Sequence, residues 1–92
     1  MILASKLLVE FIGAFILMSV ILFVGEPIPV AAALLVAIYI SGKISGGHIN
    51  PAVSFAFFVD GKLGGPELLG YMSAQILGAL TAVGVHKLKY MK

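Results

Sequence analysis

Three long apolar segments, separated by short polar turns, limit most strongly what this chain can fold into. They predict helices over about 6–24, 29–42 and 66–86. Segments of this length and polarity are typical of helices that cross a lipid bilayer. With 61% hydrophobic and 11% charged residues, the chain also has too few polar side chains to cover a soluble domain. We therefore expect an all-α membrane protein with three transmembrane helices.

A fourth apolar segment, 51–59, is too short to cross a membrane. Nine helical residues rise only about 13 Å, less than half of a hydrocarbon core of about 30 Å. Asn50 is a favourable N-cap and Pro51 a favourable first helical residue. We predict a re-entrant loop, 43–49, and a half-helix, 50–59, which enter the membrane and return to the same side. A helix lying on the membrane surface is the alternative, but the segment has almost no polar face.

Several classes of function do not fit the composition. The absence of arginine removes the guanidinium fork that phosphate and nucleic-acid sites use, so we expect no nucleic-acid partner. The absence of cysteine excludes disulfides, thiolate metal sites and thiol chemistry. His48 lies near Ser45, but no acidic residue or second ligand stands at a useful spacing. We expect no enzyme, no metal and no cofactor.

The first apolar segment also has a second interpretation, as a signal peptide. It is longer than the usual apolar core of such peptides, and no small-residue cleavage site precedes Glu26. We therefore expect it to remain in the protein as a transmembrane helix.

Four stretches of sequence carry a resemblance to a known family. They are Glu10–Gly13 (EFIG), Ala37–Tyr39 (AIY), Ser45–Val53 (SGGHINPAV) and Tyr71–Ala79 (YMSAQILGA). Asn-Pro-Ala alone is a weak signal, but the four stretches occur together, in order, over almost the whole chain. In these features the chain resembles the first half of the major intrinsic proteins, the family of aquaporins and glycerol facilitators.

The resemblance implies a pore contact at the start of the half-helix. Asn50, followed by Pro51 and Ala52, would cap this helix and present its amide to a passing molecule. The positive end of the helix dipole would oppose cations. The carbonyl groups implied to line the pore entrance belong to Gly46, Gly47 and His48.

The resemblance also implies that Glu10 and Gln75 brace the loop by bonding its backbone. A carboxylate within a transmembrane helix needs an internal partner, which agrees with this role. The alternative is that Glu10 extends towards the membrane surface. We expect Gly13 and Gly78 to be close-packing positions between helices. For Tyr71, an alternative role is that of an anchor at the membrane interface.

The chain departs from the family in one important respect. The family has six transmembrane helices and two half-helices in inverted repeats, whereas this sequence contains one Asn-Pro-Ala and lacks the arginine that follows the second. A half-helix alone leaves the pore open on one side, so we expect a partner.

Lysine placement favours a second copy in the inverted orientation as that partner. Three lysines (Lys6, Lys43, Lys62) fall at one membrane side, and three (Lys87, Lys89, Lys92) fall at the other. Such a balance suits insertion in both orientations. We expect antiparallel homodimers, further assembled as a tetramer of dimers in the cell membrane. The alternative is a heteromeric or non-conducting half-channel that needs a separate chain carrying the second repeat.

The expected function is passive conduction of water, small neutral solutes such as glycerol, or both. Two Asn50 side chains, one from each copy, would meet at the pore centre. Val53 would occupy both positions equivalent to the filter arginine, and Val30 and Ile38 would complete two apolar constrictions.

Overall fold

The computed structural model describes residues 1–91, and all regular structure within them is helical. The elements are α1 (Leu3–Phe23), α2 (Pro27–Ser41), α3 (Pro51–Val59), α4 (Gly65–Lys87) and a final 3-10 turn, η1 (Leu88–Tyr90). The first helix begins earlier than expected, and α2 begins at Pro27 because a proline fits the first helical turn. Lys92, which belongs to the predicted 1–92 unit, lies outside the described residues.

Two of these helices are long and apolar enough to cross a bilayer. They are Leu3–Phe23 and the continuous segment Gly65–Tyr90. The 15 residues of α2 are apolar but rise only about 22 Å, which is less than the usual hydrocarbon thickness. By length and composition, these two helices are candidates for crossing the membrane, and α2 is shorter than that criterion requires.

The first helix packs against both α2 and α4, and glycine sets its distance from α4. Gly78 lies directly on the backbone of Phe11, so that a Cβ at position 78 would overlap the Phe11 carbonyl group. About two turns earlier in α4, Gly70 faces the side chain of Leu7. Small residues allow transmembrane helices to approach closely. The prediction that Gly78 is a close-packing position is thus confirmed.

The segment between α2 and α3 turns into the centre of the helices. Ile49, only 4% exposed, forms a small apolar core with Ala14 and Ala37. The half-helix α3 begins there, packs on α4, and leads through a short turn to the start of α4. The segment therefore enters and leaves the protein at the same end.

Candidate pore site

The re-entrant loop has an unusual backbone conformation. Gly46 and Gly47 have φ angles of 95° and 67°, which glycine adopts without a steric penalty. Ile49 also has a positive φ, 63°, a conformation that costs a side chain of this kind about 1–2 kcal/mol. Its side chain fills the space left by the missing Cβ of Gly13. Gly13, which belongs to α1, therefore packs against the loop.

Glu10 is the residue that holds this conformation. Its side chain is fully buried, and four groups donate hydrogen bonds to it. The donors are the backbone N–H of His48 (3.0 Å) and of Ile49 (2.7 Å), the Ser45 hydroxyl (2.6 Å) and Gln75 Nε2 (2.8 Å). A carboxylate accepts from several donors at once, which suits this arrangement. Glu10 therefore points inward, and the alternative in which it extends to the membrane surface does not hold.

A second group of polar side chains joins the loop to α3 and α4. Ser54 Oγ accepts a hydrogen bond from Gln75 Nε2 (2.9 Å) and lies 2.8 Å from Nδ1 of His48. All of these hydrogen bonds are satisfied when the Ser54 hydroxyl donates to an unprotonated Nδ1, which places the proton of a neutral imidazole on Nε2. Gln75 thus bonds Glu10 and Ser54, whereas the family resemblance implied a direct bond to the loop backbone.

Tyr71 belongs to the same support and is not an interfacial anchor. It is 2% exposed, and its hydroxyl donates a 2.7 Å hydrogen bond to the carbonyl oxygen of Ser45. Sequence reasoning missed the roles of Ser45, Ser54 and Tyr71. One signal was present, because Tyr71 and Gln75 stand four residues apart and therefore share a face of α4.

The half-helix α3 begins at Pro51, directly after its N-cap Asn50. Asn50 Oδ1 accepts a hydrogen bond from the backbone N–H of Ala52 (2.8 Å), and Pro51 occupies the first turn. Because the oxygen is used for capping, the amide nitrogen of this exposed side chain is free to donate.

A cavity of about 220 Å³ lies beside this helix start, between α1 and α4. Its lining is mainly apolar and comprises Ala14, Leu17, Met18, Ile21, Ile49, Asn50, Pro51, Gln75, Ile76 and Ala79. Gln75 Oε1 has no hydrogen-bond partner among the described residues.

The other predicted site residues are placed as follows. Gly46 is exposed, Gly47 is half-buried and His48 is buried, so the three are not equally accessible. Val53 (37%) and Ile38 (41%) are exposed, and Ile38 lies against Gly47. Val30 is in the first turn of α2, about 12 Å along that helix from Ile38. Within one copy, the structure brings Ile38 to the loop but does not bring Val30 to Ile38.

The site offers hydrogen-bonding groups and no ligand set for a metal. No cluster of three or more His, Asp or Glu side chains occurs within residues 1–91. The exposed groups are an amide donor at Asn50 and the backbone around Gly46, beside the apolar side chains of Ile38 and Val53. Such a surface can exchange hydrogen bonds with a neutral polar molecule.

Comparison with known proteins gives a consistent result. The sequence model of the major intrinsic protein family matches residues 23–92. The chain is 37% identical to glycerol uptake facilitator protein-like 6 of Lactiplantibacillus plantarum over 84% of its length, covering 40% of that protein. It is 40% identical to aquaporin-10 of Milnesium tardigradum over 96% of its length (25% of that protein) and 38% identical to aquaporin Z of Brucella melitensis over 88% (42% of that protein). The chain thus spans less than half the length of these relatives. No solved structure matches it significantly.

Proposed function

The chain belongs to the major intrinsic protein family, whose members are integral membrane proteins, and we propose on this basis that it forms a passive channel for water and small neutral solutes such as glycerol. Its relatives are named as aquaporins and as a glycerol uptake facilitator. The observation that carries the proposal is the exposed Asn50 amide at the start of a half-helix whose preceding loop is held by Glu10. Conduction of this kind needs no catalytic group.

Permeation in this proposal depends on a donor followed by acceptors. The Asn50 amide donates to the oxygen of the passing molecule, and the backbone carbonyls of the loop accept its hydrogens. The N-terminal end of α3 carries partial positive charge, which disfavours cations at the same point. Neutral polar molecules are therefore favoured over ions.

The pore side of a single copy is open, which is why we propose a second one. Helix α2 would be the third transmembrane helix, yet most of its apolar side chains are exposed, as are five large ones on α3. Those on α3 are Val53, Phe55, Phe57, Phe58 and Val59. An inverted second copy would cover this side and complete two half-helices that meet at the midplane.

Charge supports the inverted arrangement. Lys6 is in the first turn of α1, Lys43 follows α2 and Lys62 lies between α3 and α4, so all three belong to one end of the protein. Lys87 and Lys89 belong to the other end, at the end of α4. Because lysine distribution sets the orientation of insertion, this distribution gives weak preference for either orientation.

Each constriction in the proposed dimer is apolar and uncharged. Two Asn50 side chains meet at the centre, and Val53 of each copy replaces the arginine that narrows the pore in the family. Val30 of one copy would face Ile38 of the other. Because valine is smaller and less polar than arginine, this constriction would be wider and more apolar than the family's filter. It would therefore admit small solutes such as glycerol as well as water.

Flux measurements on the pure protein in liposomes test this function. We expect osmotic water flux, glycerol flux or both to exceed those of empty liposomes. Replacing Val53 with Phe should reduce flux by about tenfold, because one ring from each copy would narrow the pore. Leu69→Phe is the control, since Leu69 is 70% exposed on α4 and is not part of the proposed pore. Equal flux in the two variants would contradict the assignment of Val53. Flux that appears only when another family protein is added would favour a heteromeric half-channel.

A further inference from the structure

A group of aromatic and basic side chains joins the ends of α1 and α4 at the membrane side opposite the re-entrant loop. We call it the basic–aromatic cluster, and it consists of Phe23, His86, Lys89 and Tyr90. The His86 ring meets Phe23 edge to face, with 4.9 Å between ring centres, and meets Tyr90 at 5.7 Å. Tyrosine, with an apolar ring and a polar hydroxyl, is typical of the interface between hydrocarbon and headgroups.

The ammonium group of Lys89 is held by rings. Its Nζ lies 5.5 Å from the centre of the Phe23 ring and 5.2 Å from that of Tyr90. Cation–π contacts fix the position of a charge without neutralising it. Lys87 is exposed two residues earlier. Within residues 1–91, neither lysine forms an ion pair with a carboxylate, so both charges remain available to an anion.

The lysines at the other end of the protein are in a different environment. Lys62 pairs with Asp60 at 3.1 Å, and Glu67 lies in the first turn of α4 at the same end. Glu26, before α2, is the carboxylate on the side of the basic–aromatic cluster, and it forms no ion pair there within residues 1–91. Among the lysines of residues 1–91, Lys62 alone forms an ion pair, so what distinguishes the basic–aromatic cluster from the other end is the contact of Lys89 with two rings.

We propose that the basic–aromatic cluster, together with Lys87, binds the phosphate of an anionic phospholipid. The rings lie at the depth where the glycerol backbone and upper acyl chains meet the headgroups, and the Lys89 ammonium group faces the phosphate. Lys87, exposed two residues earlier, adds a second positive charge to the same end of α4. Basic residues at the cytoplasmic or headgroup end of transmembrane helices recognise anionic lipids in this way. A lipid is favoured over a free anion because the rings and the adjacent ends of α1 and α4 supply an apolar surface to its chains.

Lipid retention on the purified full chain tests this proposal. The protein is mixed in detergent with equal amounts of phosphatidylglycerol and phosphatidylcholine of matched chains, and bound lipids are counted by native mass spectrometry. We expect phosphatidylglycerol to be preferred, and Lys87→Gln with Lys89→Gln to reduce that preference by roughly tenfold. Lys43→Gln with Lys62→Gln is the matched control, because it removes the same charge from the other end, and we expect it to keep the preference.

Three results would overturn the proposal. The first is equal retention of the two lipids by the unaltered protein. The second is an equal loss of preference in the two double variants, which would indicate a general effect of charge. The third is complete displacement of phosphatidylglycerol by excess inorganic phosphate, which would indicate an anion site that does not need a lipid. Circular dichroism of each variant checks that its helices are intact.

Discussion

Replacing Glu10 with Gln should abolish flux and destabilise the protein by about 3 kcal/mol or more. Ile49 N–H and Gln75 Nε2 bond Oε1, while His48 N–H and the Ser45 hydroxyl bond Oε2. An amide keeps one oxygen and presents a donor in place of the other. If Oε1 is replaced, Ile49 N–H and Gln75 Nε2 meet a donor. If Oε2 is replaced, His48 N–H meets a donor, whereas the Ser45 hydroxyl can turn to the carbonyl oxygen of Ser41. In either case at least one buried backbone N–H loses its acceptor.

The effect on conduction follows from the loop. Ile49 has a positive φ that its side chain opposes, and the bond to Glu10 is the hydrogen bond that holds its backbone there. Without that bond we expect the loop to relax, which moves the Asn50 amide from its position. Thermal unfolding followed by circular dichroism and flux in liposomes measure the two effects.

Glu26→Gln is the control for the loss of a carboxylate. Glu26 is exposed before α2, and its side chain makes no capping hydrogen bond. We expect this variant to unfold at nearly the temperature of the unaltered protein. A Glu10→Gln protein that is as stable and as conducting as Glu26→Gln would show that Glu10 does not support the loop.

Replacing Gly78 with Leu should destabilise the protein about as much as Glu10→Gln does, but by a different mechanism. The first carbon of any side chain at this position would overlap the carbonyl group of Phe11. Since that group is backbone, α1 and α4 must move apart, at a cost of about 3 kcal/mol or more. Gln75 and Tyr71 are carried by α4, so their bonds to Glu10 and Ser45 would lengthen and flux would fall as well.

The same helix provides a matched control for this substitution. Apart from the adjacent residues and the local backbone of α4, no described atom lies within 4 Å of the position that a Cβ would take at Gly84. Leucine also favours a helix by several tenths of a kcal/mol over glycine. Gly84→Leu should therefore leave the unfolding temperature unchanged or raise it. If Gly78→Leu were no less stable than Gly84→Leu, the close approach of α1 and α4 would be unsupported.

Local chemistry explains which parts of the fold could be predicted. Asn50 and Pro51 define the start of α3 because a cap and a first-turn proline act within a few residues. The start of α1 was placed less well, since apolar residues such as Leu3 continue the helix beyond the predicted start. The length of α2 could not be judged either, because Pro27 and Pro29 are equally good first-turn residues.

The support of the site was only partly predictable, since it depends on contacts distant in sequence. Glu10 was identified from the family resemblance, and the need of a carboxylate in an apolar helix for an internal partner agrees with that role. Its partners at 48 and 49 follow from tertiary packing. The positive φ of Ile49 could not be predicted, because a β-branched residue disfavours it and only the surrounding bonds make it stable. Ser54 gives no signal in an apolar helix until Gln75 and His48 are placed beside it.

Labelling of the two ends in intact cells tests most directly whether two copies pair in opposite orientations. The chain has no cysteine, so Ile2→Cys and Met91→Cys each introduce a single thiol, at positions 71% and 70% exposed and at opposite ends of the protein. A maleimide that cannot cross the membrane reports the fraction of each thiol that faces outward, with permeabilised cells giving the total. The inverted dimer predicts that about half of each thiol is labelled from outside. Complete labelling of one end with none of the other would contradict it.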